Sequence, residues 1–224
     1  MRLNKFLALH LGISRRQADE LIAKGRVTVN NEPVMLGARV NDTDSVTVNK
    51  KLVHTKTAFV YLALHKPTGY VCSRRSQGDS PTVYELLPAE YQNLKTVGRL
   101  DRNSSGLVLL TNDGDFAQRM THPSYHKVKQ YDVALDTPLE PLHQQMISDF
   151  GVDLDDGKSR LTLERLSDDR MTWKVTMSEG RNRQIRRTFA VLGYKVIGLH
   201  RTHFGPYTLG TMGEGTYQTV DPII

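Results

Sequence analysis

The chain has 224 residues, 30 Lys/Arg against 24 Asp/Glu for a formal net charge of +6, and 38% hydrophobic residues, enough to bury a real core. Its longest apolar runs, such as Leu107 to Leu110, are far too short to span a bilayer, and no long apolar stretch follows the opening Arg2 and Lys5, so neither a membrane span nor export is expected. The single cysteine, Cys72, excludes an intramolecular disulfide and any cysteine-cluster metal site; it suits a reducing cytoplasm and reads as a small buried strand residue.

The positive charge is uneven. Residues 1–58 hold ten Lys/Arg against five Asp/Glu, a net of +5, whereas residues 59–224 hold twenty against nineteen, a net of +1. A basic excess confined to one segment points to a polyanion, nucleic acid ahead of an anionic membrane surface. Within it, "RLNKFLALHLG" places Leu3, Phe6, Leu7 and Leu11 on one face of a predicted helix. "SRRQADELIAKG" starts a second helix with Ser14 and Gln17 at capping-box spacing and ends it on Gly25. "RVTVNNEPV" alternates as a strand and turns at Asn30-Asn31, and "SVTVNK" supplies another short strand. Arg15 and Arg16 fall in the first turn of the second helix, where the positive end of the helix dipole disfavours cations. A partner outside the fold accounts for that placement better than a solvated charged face.

This stretch resembles the αL RNA-binding domain shared by a ribosomal small-subunit protein, tyrosyl-tRNA synthetases and several RNA-modifying enzymes. The resemblance is carried by Leu3-x-Lys5-Phe6-Leu7, Ser14 to Asp19, Leu21-Ile22 and Gly25 to Asn30. It implies two helices facing structured RNA, with Arg2, Lys5, Arg15, Arg16 and Arg26 on phosphates. The polar, aperiodic "NKKLVHTKTAF" reads as the linker, dividing a domain of residues 1–58 from one of residues 59–224.

In the second domain "FVYLALHKPTGYVCS" reads as a strand, a Pro-Thr-Gly turn carrying Lys66, and a second strand. "SPTVYELL" suggests a short helix, "LVLLT" a buried strand, and "NDG" a tight turn into an amphipathic helix from Asp115 to Met120. "KVKQYDVAL" alternates as a strand, "LEPLHQQMISDF" is helical, "RMTWKVTMSE" alternates again, and a helix over "NRQIRRTFAVLG" precedes two or three short strands. Strands and helices mixed without a regular βαβ repeat indicate an α+β domain on an antiparallel or mixed sheet.

Several chemistries fall away on spacing. There is no His-Glu-x-x-His, no Gly-x-x-x-x-Gly-Lys-Ser/Thr and no Gly-x-Ser-x-Gly, and the pairs His122/His126 and His200/His203 straddle a proline or a strand end, so no metal site is expected. What remains is Asp101, set between Arg99 and Arg102 before a Ser-Ser-Gly turn, with two clusters to accompany it. Arg181, Arg183, Arg186 and Arg187 crowd a helix start, and a planar guanidinium binds carboxylate or phosphate at two points at any working pH. Lys129 and Tyr131 alternate on one strand face, where the ring offers a plane for a base to stack. Taken singly, each has a structural reading: a salt-bridged turn aspartate, a basic surface, a packed tyrosine.

Together, "HKPTGYVCS", "GRLDRNSSGLVLLTNDG", "KVKQYDV" and "EGRNRQIRRTFAVLGYKVIGLHRTHFG" resemble, in order, the successive motifs of the RsuA-type bacterial rRNA pseudouridine synthases, with Ser104 where many members have threonine. The resemblance implies a catalytic domain with a mixed, largely antiparallel sheet flanked by helices. It implies isomerisation of uridine to pseudouridine without any cofactor: the C1′–N1 bond breaks, the uracil turns, C5 joins C1′ and the C5 proton leaves. Asp101 becomes the essential carboxylate, attacking C1′ or taking the 2′ proton. The family pattern pairs it with Arg186 and stacks the uracil on Tyr131. The target must be extruded from the RNA at about a few kcal/mol, with Lys66, Arg99, Arg183 and Arg187 joining the N-terminal cations on phosphates. Ribosomal RNA or a ribosomal assembly intermediate is the expected partner, small-subunit rRNA favoured over large-subunit, for a cytoplasmic monomer. A non-catalytic RNA-binding or ribosome-assembly factor on the same scaffold is the alternative, ahead of a nucleoside hydrolase, which needs a handled water and commonly metal ligands.

Overall fold

A computed structural model describes residues 1–54 and 58–223. The chain divides into two compact units, Met1–Phe59 and Val60–Ile224. Residues 55–57 of the expected linker lie outside the described residues.

In the first unit α1 (Leu3–Leu11) buries Leu3, Phe6 and Leu7. Leu11, expected on the same face, is exposed at the last turn, where Gly12 takes a left-handed conformation at φ 70° and ends the helix. α2 (Arg15–Ala23) opens on the expected capping box: Gln17 N donates to Ser14 Oγ at 3.1 Å and Ser14 N to Gln17 Oε1 at 2.8 Å. A four-stranded antiparallel sheet follows in the order β2-β1-β3-β4, from β1 (Val27–Val29), β2 (Glu32–Pro33), β3 (Val46–Val48) and β4 (Lys51–Leu52). Asn30 and Asn31 both hold positive φ, as a two-residue hairpin of this hand requires. Asn49 and Lys50 do the same, so the segment expected to start the linker instead closes a hairpin. The helices and sheet share one core of Leu3, Phe6, Leu7, Ala18, Ile22, Val27, Val40, Val46 and Val53.

The second unit is built on a nine-stranded sheet. Its strands are β5 (Tyr61–Lys66), β6 (Lys95–Val97), β7 (Ser105–Thr111), β8 (Lys129–Leu135), β11 (Thr162–Arg165), β12 (Thr172–Met177), β13 (Val196–Phe204), β14 (Tyr207–Thr208) and β15 (Tyr217–Thr219). They run in the order β11-β12-β8-β13-β7-β5-β15, with β6 on β7 and β14 on β13. Every pairing is antiparallel except β7 with β13, which run parallel through His200↔Ser105 and Arg201↔Gly106. The continuous run Leu107–Leu110 is explained by layers on both faces. Val108 and Leu110 meet Val133, Trp173 and Phe189 in one core, whereas Leu107 and Leu109 meet Phe116, Met120 and Phe204 in another. α3 (Gly114–Thr121) covers the second face; α5 (Gln184–Val191) covers the first. α4 (Pro141–Gln145) runs into a wider π turn at Met146–Phe150, and β9 (Val152–Leu154) with β10 (Gly157–Ser159) forms a separate hairpin.

Two expectations need correction. No strand follows the Pro67 turn: Val71 N bonds to Pro81 O and Val83 N returns to Val71 O, a single rung of a loop. The region expected to finish in short strands opens instead with β13, a nine-residue strand at the middle of the sheet. No helix among the described residues is long and apolar enough to cross a membrane.

Candidate active site

Asp101 sits on the loop between β6 and β7, at the wall of a cleft of about 1120 Å³. The loop is fixed from beneath. Lys66, at the end of β5 and wholly buried, sends Nζ to Ser104 O at 2.6 Å, Pro67 O at 2.8 Å and Arg102 O at 3.5 Å. Gly69 N adds a bond to Arg102 O at 2.8 Å. Burial pushes the Lys66 ammonium down to about 8, because the charged form loses its hydration. A side chain in this position cannot reach an RNA phosphate, so Lys66, expected as a phosphate contact, is a loop anchor.

The arginine cluster separates into distinct tasks. Arg183 Nη1 donates to Asp101 Oδ2 at 3.1 Å, both side chains partly exposed, and Arg183 occupies a left-handed conformation at φ 48° directly before α5. Arg186, expected to hold that carboxylate, instead spans from α5 to Val196 O at 2.7 Å and Asn103 O at 2.9 Å, reaching Ser104 Oγ at 3.5 Å. One helical turn separates the two side chains, and the left-handed turn at Arg183 swings the earlier one over the acid. Arg187 is committed to Asp156 Oδ2 at 2.7 Å and Asn182 O at 2.8 Å, with Asp156 held below the usual carboxylate range by that bond. Arg181 binds the same hairpin through Asp156 Oδ1 at 2.9 Å and the carbonyls of Gly157 and Lys158. Arg187 thus fixes the β9–β10 hairpin beside α5, where a phosphate contact was expected.

Tyr131 lies in the middle of β8, 8% exposed, opposite Arg201 of β13 and Val175 of β12. Lys129, two residues before it, donates to the carbonyls of Lys127, Ser178 and Glu179. Asp101, Tyr131, Arg183 and Arg186 all line the one cleft, together with Arg99, which is exposed on the Asp101 loop. Arg2, Arg15, Arg16 and Arg26 are exposed on the first unit, and Lys5 is half-buried on α1. Arg201 also lines the cleft and was not anticipated: "HRTH" draws the eye to its histidines, and the partner that places Arg201 is Gly106, 95 residues earlier.

Of the three carboxylates in the cleft wall, Asp156 gives both oxygens to partners within the fold, and Glu179 and Asp101 are each bonded through one. Asp156 takes two arginines, and Glu179 takes Arg181 Nε and Gln184 Nε2. Asp101 has one ion-pair partner, bonded through a single oxygen.

Residues 60–191 match the family model for RNA pseudouridylate synthase, and residues 1–46 match the S4 domain model. The chain is 40% identical over 226 residues to ribosomal small subunit pseudouridine synthase A of Pasteurella multocida, covering 98% of this chain and 96% of that one. It is 35% identical over 229 residues to ribosomal large subunit pseudouridine synthase B of Bacillus subtilis, covering 99% and 92%. A solved pseudouridylate synthase superposes at a TM-score of 0.70 with 35% identity, over 99% of this chain and 96% of that one. Motif order, sheet and sequence identity over nearly the full length agree, and the chain belongs to the RNA pseudouridylate synthase family, as an isomerase that carries an N-terminal S4 domain.

Proposed function

We propose that the chain converts a uridine of ribosomal RNA to pseudouridine, with a small-subunit site favoured, and that Asp101 is the reacting carboxylate. The observation that carries this is the setting of Asp101: it keeps one oxygen outside its ion pair, on a loop held by Lys66 and Arg186, in the cleft that Tyr131 also lines, whereas both oxygens of Asp156 are taken by arginines. The C1′–N1 bond breaks with its electron pair on the uracil, as Asp101 attacks C1′ or removes the 2′ proton. The uracil turns on Tyr131 and C5 bonds to C1′, either displacing the Asp101 carboxylate from C1′ or with the 2′ proton returned to C2′; the C5 proton then leaves and N1 regains one. Atoms and electrons balance without oxidant, reductant or group donor.

Extrusion of the target costs about a few kcal/mol. Arg99 at the cleft and Arg2, Lys5, Arg15, Arg16 and Arg26 on the S4 domain offset it through phosphate contacts, while Arg183 guards the acid. The small-subunit preference rests on the higher identity to the Pasteurella small-subunit enzyme, 40% against 35% for the Bacillus large-subunit one.

Tritium release from C5-labelled uridine in rRNA transcripts tests the reaction, since only isomerisation loses that hydrogen with the chain intact. Mapping pseudouridines in rRNA from a strain lacking the protein tests the substrate. Loss of one small-subunit site is expected; a full complement of rRNA pseudouridines would remove the rRNA assignment.

A further inference from the structure

Arg201 is 2% exposed, yet its Nη2 has no hydrogen-bond partner among the described residues. Nε donates to Leu107 O at 2.8 Å, and the guanidinium carbon lies 4.8 Å from the centre of the Phe204 ring. No carboxylate pairs with it among the described residues. A buried cation with an unmet N–H is expensive, and a fold retains one where something outside the fold completes it.

The fold has also made room for it. Gly106 of β7 holds φ +107°, and a Cβ there would stand 2.3 Å from Arg201 O and 2.6 Å from Arg201 N. Only glycine allows the two strands this close, and the approach sets Arg201 directly opposite Tyr131, with both side chains on the cleft side of the sheet.

We propose that Arg201 donates from Nη2 to a carbonyl oxygen of the uracil stacked on Tyr131, stabilising the negative charge that reaches the ring when the C1′–N1 bond breaks. The assignment rests on the pseudouridine reading above and adds a residue to it. A phosphate fits less well. It would need several donors around a tetrahedral anion, and Lys129, which feels the charge of Arg201, has its ammonium bound to three carbonyls. A planar ring edge with single acceptors matches one free N–H. Because the ring gains charge only as the bond opens, the bond strengthens in the transition state and acts on rate more than on affinity.

The test compares wild type and Arg201→Gln under single-turnover conditions, on RNA carrying uridine, 2-thiouridine or 4-thiouridine at the target, sulfur being the weaker acceptor. Arg201→Gln is expected to slow isomerisation of the uridine substrate about 100-fold or more, with RNA affinity nearly unchanged. One of the two thio substitutions is expected to slow the wild type and to have no further effect on Arg201→Gln. A folded variant with near wild-type rate would overturn the assignment. So would weaker RNA binding with a shallower salt dependence and an intact chemical step, the signature of a phosphate contact. Should Arg201→Gln fail to fold, the unaltered protein decides: if neither thio substrate is slowed, the assignment falls. Wild-type inactivity on uridine would sink the pseudouridine reading and this assignment with it, whereas an active wild type with an unaffected variant sinks this one alone.

Discussion

Lys66 holds the loop of Asp101, the carboxylate proposed to react, from beneath. Its ammonium holds the carbonyls that shape the Asp101 loop, and removing it leaves those acceptors buried and unmet at about 1–3 kcal/mol each. Lys66→Met is therefore expected to destabilise the protein and to slow isomerisation at pH 7 by about 100-fold through misplacement of the carboxylate; thermal melts and single-turnover rates check both. The pH dependence has a definite sign. Folding lowers the lysine from its ordinary 10.5 to about 8, so between those values the unfolded chain binds the extra proton and the Lys66 contribution to stability rises with pH. Activity should move the other way, because the loop loses a charged donor. Measured from pH 7 to 10, wild type should gain stability relative to Lys66→Met while its rate advantage shrinks; parallel curves would show that Lys66 does not titrate there. At this scale the sequence exposed the residue types but not their partners. Spacing and family motif offered Asp101, Tyr131 and the arginine cluster as candidates, and Asp101, Tyr131, Arg181, Arg183 and Arg186 line one cleft. That Arg183 rather than Arg186 takes the acid depends on one left-handed residue before α5, and that Lys66 is buried depends on strands remote in the chain.

The elements divide by what holds them. Helices with local signals stand where periodicity and caps put them, as the Ser14–Gln17 capping box does for α2 and Asp113 does for α3, accepting from Asp115 N at 2.9 Å and Phe116 N at 3.1 Å. Strands long enough to alternate, β8 and β12, were equally legible. Short strands divide: β1 and β3, which alternate about Thr28 and Thr47, were legible too, whereas β6, β9, β10 and β11, which carry exposed residues, were not. The most demanding junction is β7 with β13. Gly106→Ala combines a φ that disfavours any side chain with a backbone clash at 2.3 Å. It is expected to cost more than about 3 kcal/mol, lowering Tm by about 10 °C, and to abolish isomerisation because the same strands carry Arg201 and lead from the Asp101 loop. A melting temperature within a degree or two of wild type would show that the strands separate easily and that the glycine is not needed for their approach.

At the scale of the whole molecule, charge and chemistry lie in different units. The first 58 residues carry a net +5 of the total +6, and all four catalytic-domain motifs lie beyond them. Composition made the charge half of that division visible, and the resemblance to the family motifs the other half. Removing residues 1–59 is expected to weaken rRNA binding and flatten its salt dependence while leaving the single-turnover rate at saturating enzyme within a few-fold. A collapsed rate with unchanged affinity would contradict the division. One substitution tests the acid itself. Asparagine matches aspartate in shape and can still accept from Arg183, but its amide neither attacks C1′ nor takes a proton. The direct measurement is tritium release from C5-labelled rRNA by Asp101→Asn, with its melting temperature recorded alongside: no detectable release from a protein that melts with the wild type is the expected result, and substantial release from the same well-folded protein would contradict the account.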